Sequence, residues 1–323
     1  MHVVVTGGAG FIGSNLVDQL LDDGHTVTAV DNLSTGSLDF LGKAISHSGF
    51  ELVDMDLLEE AARFRDIVRP ADAVFHLAAN ADVRYGWDEP ERDLRQNVIV
   101  THNVLEAMRV TNVRRLLFAS SGSVYGETTV IPTPEDCPFP VQTSLYGASK
   151  VASEGLIQAY AEGAGFCSTI LRFVSVLGAR YTHGHVIDFV RSLRAEPTVL
   201  TILGDGKQRK SYLEVTDCIA AMTLLLEADG RGEVYNLGVD QSCTVVESAG
   251  WICERLGVRP RFEFTGGDRG WIGDNPHIHL DPTKLQSTGW RPRYSIREAV
   301  ERTVDYLVAE PWVLERPEAR AAP

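Results

Sequence analysis

The chain has 323 residues, 44% of them hydrophobic, which is enough for one large α/β domain or a domain with a smaller partner lobe and too apolar for a disordered chain. Its 44 acidic residues outweigh 30 basic ones, and the net charge of −14 disfavours a general nucleic-acid or anionic-membrane partner while leaving room for a small anionic ligand at a local basic cluster. No apolar run reaches membrane-spanning length, the first residues lack a signal-peptide pattern, and the five cysteines are odd in number and without metal spacing, so a metal-free cytoplasmic protein with reduced thiols is expected.

Strands and helices alternate through the first half. Residues 3–6, 26–30, 51–54, 73–76, 115–120 and 168–174 read as short apolar strands, and 14–22, 97–108 and 146–164 as helices. Short apolar strands separated by helices predict a parallel, doubly wound α/β sheet covered on both faces. Beyond about Gly178 the rhythm weakens. Helices are expected at 188–194, 248–256 and 296–309, and short strands at 198–200 and 261–264. The apolar run Val234 to Gly238 reads as a strand returning to the main sheet. The expected division is therefore a first domain over 1–174, joined by about 212–238, and a smaller, non-contiguous α/β lobe over 175–315. The Pro/Ala/Arg-rich residues 316–323 read as a tail.

Glycines 7, 10 and 13 follow the first strand and open the first helix, the setting in which a backbone turn meets a pyrophosphate at a helix N-terminus. Phe11 and Ile12 belong to the same turn. Asp31, 24 residues after Gly7, ends the second strand with Asn32 beside it. A carboxylate there accepts the ribose hydroxyls and repels a 2′-phosphate, so a Rossmann domain holding NAD rather than NADP is expected. Asp56 and Leu57 follow the third strand, where the aspartate either meets the adenine edge or caps a helix. Leu77, Ala78 and Ala79 give close passage for a cofactor, while His76 reads as a structural histidine.

Tyr146 and Lys150 lie one helical turn apart on one face. A phenol ionises near ~10, and an adjacent ammonium is expected to lower that value and make a base. The glycine turn, Asp31, His76 to Ala79, Asn97, the run Ser120-Ser121-Gly122-Ser123-Val124-Tyr125-Gly126 and the Tyr146/Lys150 pair occur in order. Together they resemble the extended short-chain dehydrogenase/reductases that act on nucleotide sugars, most closely the UDP-galactose (UDP-glucose) 4-epimerases, over nearly the whole chain.

The resemblance implies roles. Tyr146 is the base, Lys150 tunes it and holds the nicotinamide ribose, Ser121 shares a hydrogen bond with the substrate hydroxyl, and Asn97 sits near the lysine. Ser123 and Tyr146 are further substrate contacts, whereas Ser120 reads as strand-end packing. Gly122 and Ser123 stand where related dehydratases place acids, which argues against elimination of water. Arg209 and Lys210 match the loop that grips the nucleotide diphosphate, Arg269 the later phosphate segment, and Asp274 a uridine-ribose acceptor. Ser175 replaces the usual asparagine, Ile278 stands at the position that gates bulky 2-substituents, and Arg180 or Arg84 is a candidate partner for a sugar carboxylate.

NAD-dependent C4 epimerisation of a UDP-hexose is the expected function. The alternatives are 4-epimerisation of UDP-glucuronate, a nucleotide-sugar reductase and a non-catalytic NAD-binding protein. A homodimer through the helices at 97–108 and 146–164 is implied.

Overall fold

The computed structural model describes residues 1–81, 83, 86–139, 141–271 and 273–316. Valines 3, 4 and 5 are fully buried because the strand they form is covered on both sides. Val3 and Val5 pack with Leu16 and Leu20, while Val4 points to the opposite face and joins Phe64, Val104 and Phe118. Each such side chain contributes about 1.5–3 kcal/mol on full burial.

The strands β1 (His2–Thr6), β2 (Thr26–Asp31), β3 (Phe50–Asp54), β4 (Ala73–His76), β5 (Arg115–Ser121) and β6 (Cys167–Phe173) form one parallel sheet with Glu233–Leu237. Its order is Glu233–Leu237, β6, β5, β4, β1, β2, β3. The returning strand predicted at the Val234 run is thus present, paired in parallel with β6. The order reverses between β1 and β4, and the crevice beyond their carboxyl ends is where such sheets bind ligands. Gly7 and Leu77 follow those two ends directly.

Most helices begin a few residues before their predicted bounds, and two of these departures shape the site. The first starts at Phe11, with Gly10 as its cap, so the glycine turn itself belongs to the helix entry. The helix expected at 97–108 is a widened π-turn over Leu94–Ile99 followed by Val100–Thr111. The widened turn places Asn97 inside the protein.

In the second half, Ser175–Leu177 pairs in parallel with Tyr212–Glu214, and Val199–Ile202 with Arg261–Phe264. Arg209–Lys210 lies between Cys243–Thr244 and His277–Ile278. Reciprocal caps, Thr244 with Glu247 and Ser295 with Glu298, start the helices Val245–Leu256 and Ile296–Ala309. Their buried faces, including Ile252, Val300 and Val304, join the same hydrophobic cluster as Val3 and Leu16. Among the described residues no helix is long and apolar enough to cross a membrane.

Candidate active site

The glycine turn is built backbone against backbone. Gly7 has φ +70°, and a Cβ there falls 2.8 Å from the Ala78 nitrogen. A Cβ on Gly13 falls 2.0 Å from the Gly7 carbonyl oxygen. Helix Phe11–Asp22 has no side-chain cap and no acid in its first turn, so the N–H groups of Phe11 and Ile12 are left to face an anion. The Asp31 carboxylate accepts hydrogen bonds from the backbone of Ala9 at 2.9 Å and Leu33 at 2.8 Å. Burial raises its pKa above the ordinary value, against the pull of those two N–H groups.

Asn32 donates to Asp56 at 3.1 Å, and Asp56 also accepts from the Leu58 nitrogen at 2.8 Å, with Leu57 buried beneath. The Leu77 and Ala78 nitrogens are tied to Thr6, leaving Ala79 at the loop that follows. A tight glycine cradle, an uncapped helix entry and a carboxylate at the end of β2 together fit a dinucleotide.

His76 behaves as a structural residue. Its ring is buried between the hydroxyls of Thr6 at 2.8 Å and Thr101 at 3.0 Å. Burial, helped by the Lys150 charge, pushes its pKa down to about 3. The unfolded chain therefore takes up a proton near ~6.5 that the folded one refuses. Stability is expected to fall as pH drops from 6.5 towards 3, by up to about 1.4 kcal/mol per pH unit from this residue. Denaturant midpoints at pH 7 and pH 5 should show the loss, and His76→Gln should flatten the slope even if it lowers stability throughout.

The helix Leu145–Ala164 is started by Ser144, whose hydroxyl accepts from the Gly147 nitrogen at 3.0 Å. Tyr146 and Lys150 lie on its inner face, both buried. Lys150 Nζ donates to the Ala119 carbonyl at 2.9 Å and lies 4.8 Å above the Phe118 ring. It is 5.9 Å from the centre of the Tyr146 ring.

The expected lowering of the tyrosine pKa is not what the buried setting produces. Burial pushes Tyr146 up to about 12, opposed by a hydrogen bond with Ser121 and reinforced by Asp93. Burial also pushes Lys150 down to about 8, against the charges of Glu154 and Asp93. Helical spacing alone overstates the ammonium's effect, because both groups lose solvent at once. Ser121 Oγ donates to Ser123 Oγ at 3.2 Å and accepts from the Ser123 nitrogen at 3.1 Å. Asn97 accepts from the Asn80 nitrogen and donates to Ser149 Oγ, both at 2.8 Å, tying the loop after β4 to helix Leu145–Ala164.

A cavity of about 460 Å³ runs from Phe11 and Ile12 past Tyr146 and Ser121 to Lys210, Trp271 and Asp274. Ser123, Ser175 and Ile278 also line it. Lys210 pairs with Asp274 at 2.5 Å and lies 5.0 Å from the Trp271 ring centre. Asp274 accepts a further bond from the Gly270 nitrogen at 3.0 Å.

Three of the expected substrate contacts point elsewhere. Arg209 neighbours Lys210 in a strand, where successive side chains take opposite faces, and donates to the Ser242 carbonyl at 3.1 Å. Arg269 pairs with Glu127 at 2.6 Å on a partly exposed surface. Arg180, with φ +69°, pairs with Asp18 at 2.6 Å. None of the three lines the cavity. Arg84 lies outside the described residues.

Two groups of residues receive no individual role from the sequence, although His183 and His185 belong to the polar and aromatic run at 178–185. His183, His185 and Tyr212 form part of the cavity wall, with the His185 ring 4.9 Å from that of Tyr212 and its Nε2 2.8 Å from Ser248 Oγ. Behind the turn Gly122–Tyr125, the Glu154 carboxylate joins Ser120 to Arg172. Only the repeat of Tyr146, Lys150 and Glu154 at every fourth residue signals the second group in sequence.

The model of the NAD dependent epimerase/dehydratase family matches residues 3–238. A UDP-glucose 4-epimerase of Mycolicibacterium smegmatis is 34% identical over 318 residues, covering 95% of this chain and 98% of its own. The crystal structure of a UDP-galactose 4-epimerase superposes with a TM-score of 0.85 at 40% identity, covering 97% of this chain and 100% of that one. A UDP-glucuronic acid 4-epimerase from Bacillus cereus, crystallised with UDP-glucuronic acid and NAD, superposes with a TM-score of 0.87 at 26% identity, covering 96% and 99%.

Proposed function

The chain belongs to the NAD dependent epimerase/dehydratase family, and on that premise we propose that it is a 4-epimerase of a UDP-hexose, interconverting UDP-glucose and UDP-galactose. The observation that carries this reading is a single cavity holding Tyr146 and Ser121 at one part and Lys210 at another. Tyr146 holds and moves the proton of the C4 hydroxyl, and Ser121 bridges the two oxygens. Bound NAD brings a positively charged ring and the hydride acceptor that oxidation at C4 requires. Inversion needs the sugar to turn while its nucleotide stays fixed, so an anchor and free space are both required. Lys210 is the anchor for the diphosphate, as a point charge rather than a bidentate fork.

A neutral sugar is preferred on the relatives, Arg84 lying outside the described residues. Among the described residues Lys210 is the one lysine or arginine of the cavity lining, and Arg180 is engaged by Asp18. The names of the M. smegmatis relative and of the UDP-galactose 4-epimerase support the same substrate class. We read the assembly as a homodimer through the segments at 97–108 and 146–164, the first of which carries the exposed apolar side chain of Ile99 and is flanked by those of Leu94 and Val110.

The test is incubation without added NAD of UDP-glucose, UDP-glucuronate and UDP-N-acetylglucosamine, with products separated. UDP-galactose should form from UDP-glucose. Turnover of UDP-glucuronate alone would overturn the choice of sugar.

A further inference from the structure

We propose that Glu154 is a positioning residue for the reaction, acting through Ser120 to hold Ser121 against Tyr146. This rests on the reading of Tyr146 as the base. The geometry is a ladder. Tyr146, Lys150 and Glu154 follow one another at four-residue steps along one face of helix Leu145–Ala164. They face three consecutive residues at the end of β5. Lys150 Nζ donates to the Ala119 carbonyl at 2.9 Å, Glu154 Oε1 accepts from Ser120 Oγ at 2.5 Å, and Tyr146 lines the same cavity as Ser121.

Glu154 is itself held rigidly. Arg172 on β6 donates to it from Nε at 3.1 Å and from Nη2 at 2.8 Å, and both side chains are almost wholly buried. Nη1 of the same guanidinium donates to the Tyr125 hydroxyl at 2.6 Å and to the Glu135 carbonyl at 2.9 Å. Tyr125 in turn donates to Asn236 at 2.9 Å. The catalytic turn Gly122–Tyr125 is thus fixed at its start by Ser120 and at its end by Tyr125, both through the Glu154–Arg172 pair.

A buried ion pair seldom adds net stability over apolar packing, so its presence behind the reacting groups calls for another role. Register is that role. A displacement of about 1 Å at a reacting group can cost two orders of magnitude in rate.

The experiment compares Ser120→Ala, Glu154→Gln and Tyr146→Phe with the wild-type holoenzyme in C4 epimerisation of UDP-glucose. Ser120→Ala cuts one hydrogen bond and leaves the ion pair whole. It should lower kcat about tenfold with KM unchanged. Glu154→Gln should do the same. If Glu154→Gln does not fold, the split between kcat and KM in Ser120→Ala decides. Wild-type kcat in Ser120→Ala, or in a folded Glu154→Gln, overturns the proposal even when melting temperatures fall. Retention of activity in Tyr146→Phe would instead overturn the assignment of the base on which it rests.

Discussion

Tyr146→Phe should lose about two to four orders of magnitude in kcat while keeping its bound NAD. The substitution removes one oxygen from a buried ring and leaves the packing intact, so the fold has little reason to respond. What it removes is the hydroxyl proposed to exchange a proton with the C4 hydroxyl, which lines the cavity with Ser121. Absorbance of the bound cofactor, measured on the same sample as turnover, separates loss of chemistry from loss of binding. Activity within about tenfold of wild type would remove Tyr146 from the mechanism, since general acid–base catalysis contributes at least about 10²-fold. Lys150→Met should differ. It removes the bond to the Ala119 carbonyl as well as the charge, so cofactor retention and rate should fall together.

The parts of this protein legible in sequence are those that depend on near neighbours in the chain. The glycine turn, Asp31 at the end of a strand and the Tyr146/Lys150 pair are patterns of spacing, and the sheet follows from short apolar runs. Burial and strand pairing are not written locally. Arg209 and Lys210 look interchangeable as a basic pair. Their roles part only because the strand they form sits between Cys243–Thr244 and His277–Ile278, which turns Lys210 to the cavity and Arg209 to Ser242. Arg180 stands in a polar run and reads as a ligand residue, yet its partner is Asp18 on the first helix. Lys150 and Tyr146 are correctly adjacent by helical geometry, but the direction in which each pKa moves is decided by solvent loss. Glu154 was visible only as the next step of the same stripe, and its meaning needed Arg172 on another element.

Gly13→Ala and Gly10→Ala should fail in different ways. At Gly13 the added carbon meets only backbone: the Gly7 oxygen at 2.0 Å, the Gly7 carbon at 2.9 Å and the Gly8 Cα at 3.0 Å. Gly7 cannot retreat. Its own missing Cβ already marks contact with the Ala78 nitrogen, and its N–H is bonded to the Val30 carbonyl at 2.8 Å. The helix must therefore separate from the turn, and a loss of at least about 3 kcal/mol is expected, with the cofactor site lost alongside it. Gly10 is placed differently. Its φ of −79° suits any residue, and an added carbon meets the Gly7 oxygen at 3.2 Å and nothing nearer. Gly10→Ala should fold with a midpoint within about 1 kcal/mol of wild type. The new methyl group nevertheless stands at the uncapped entry of the helix, where the pyrophosphate has to approach the backbone. Retained NAD should drop at least about tenfold, equivalent to about 1.4 kcal/mol of binding. Denaturant midpoints and the NAD content of the purified variants check both expectations. A wild-type midpoint for Gly13→Ala would refute the backbone contact. Full NAD content in a folded Gly10→Ala would mean that the pyrophosphate does not approach the helix entry at this residue.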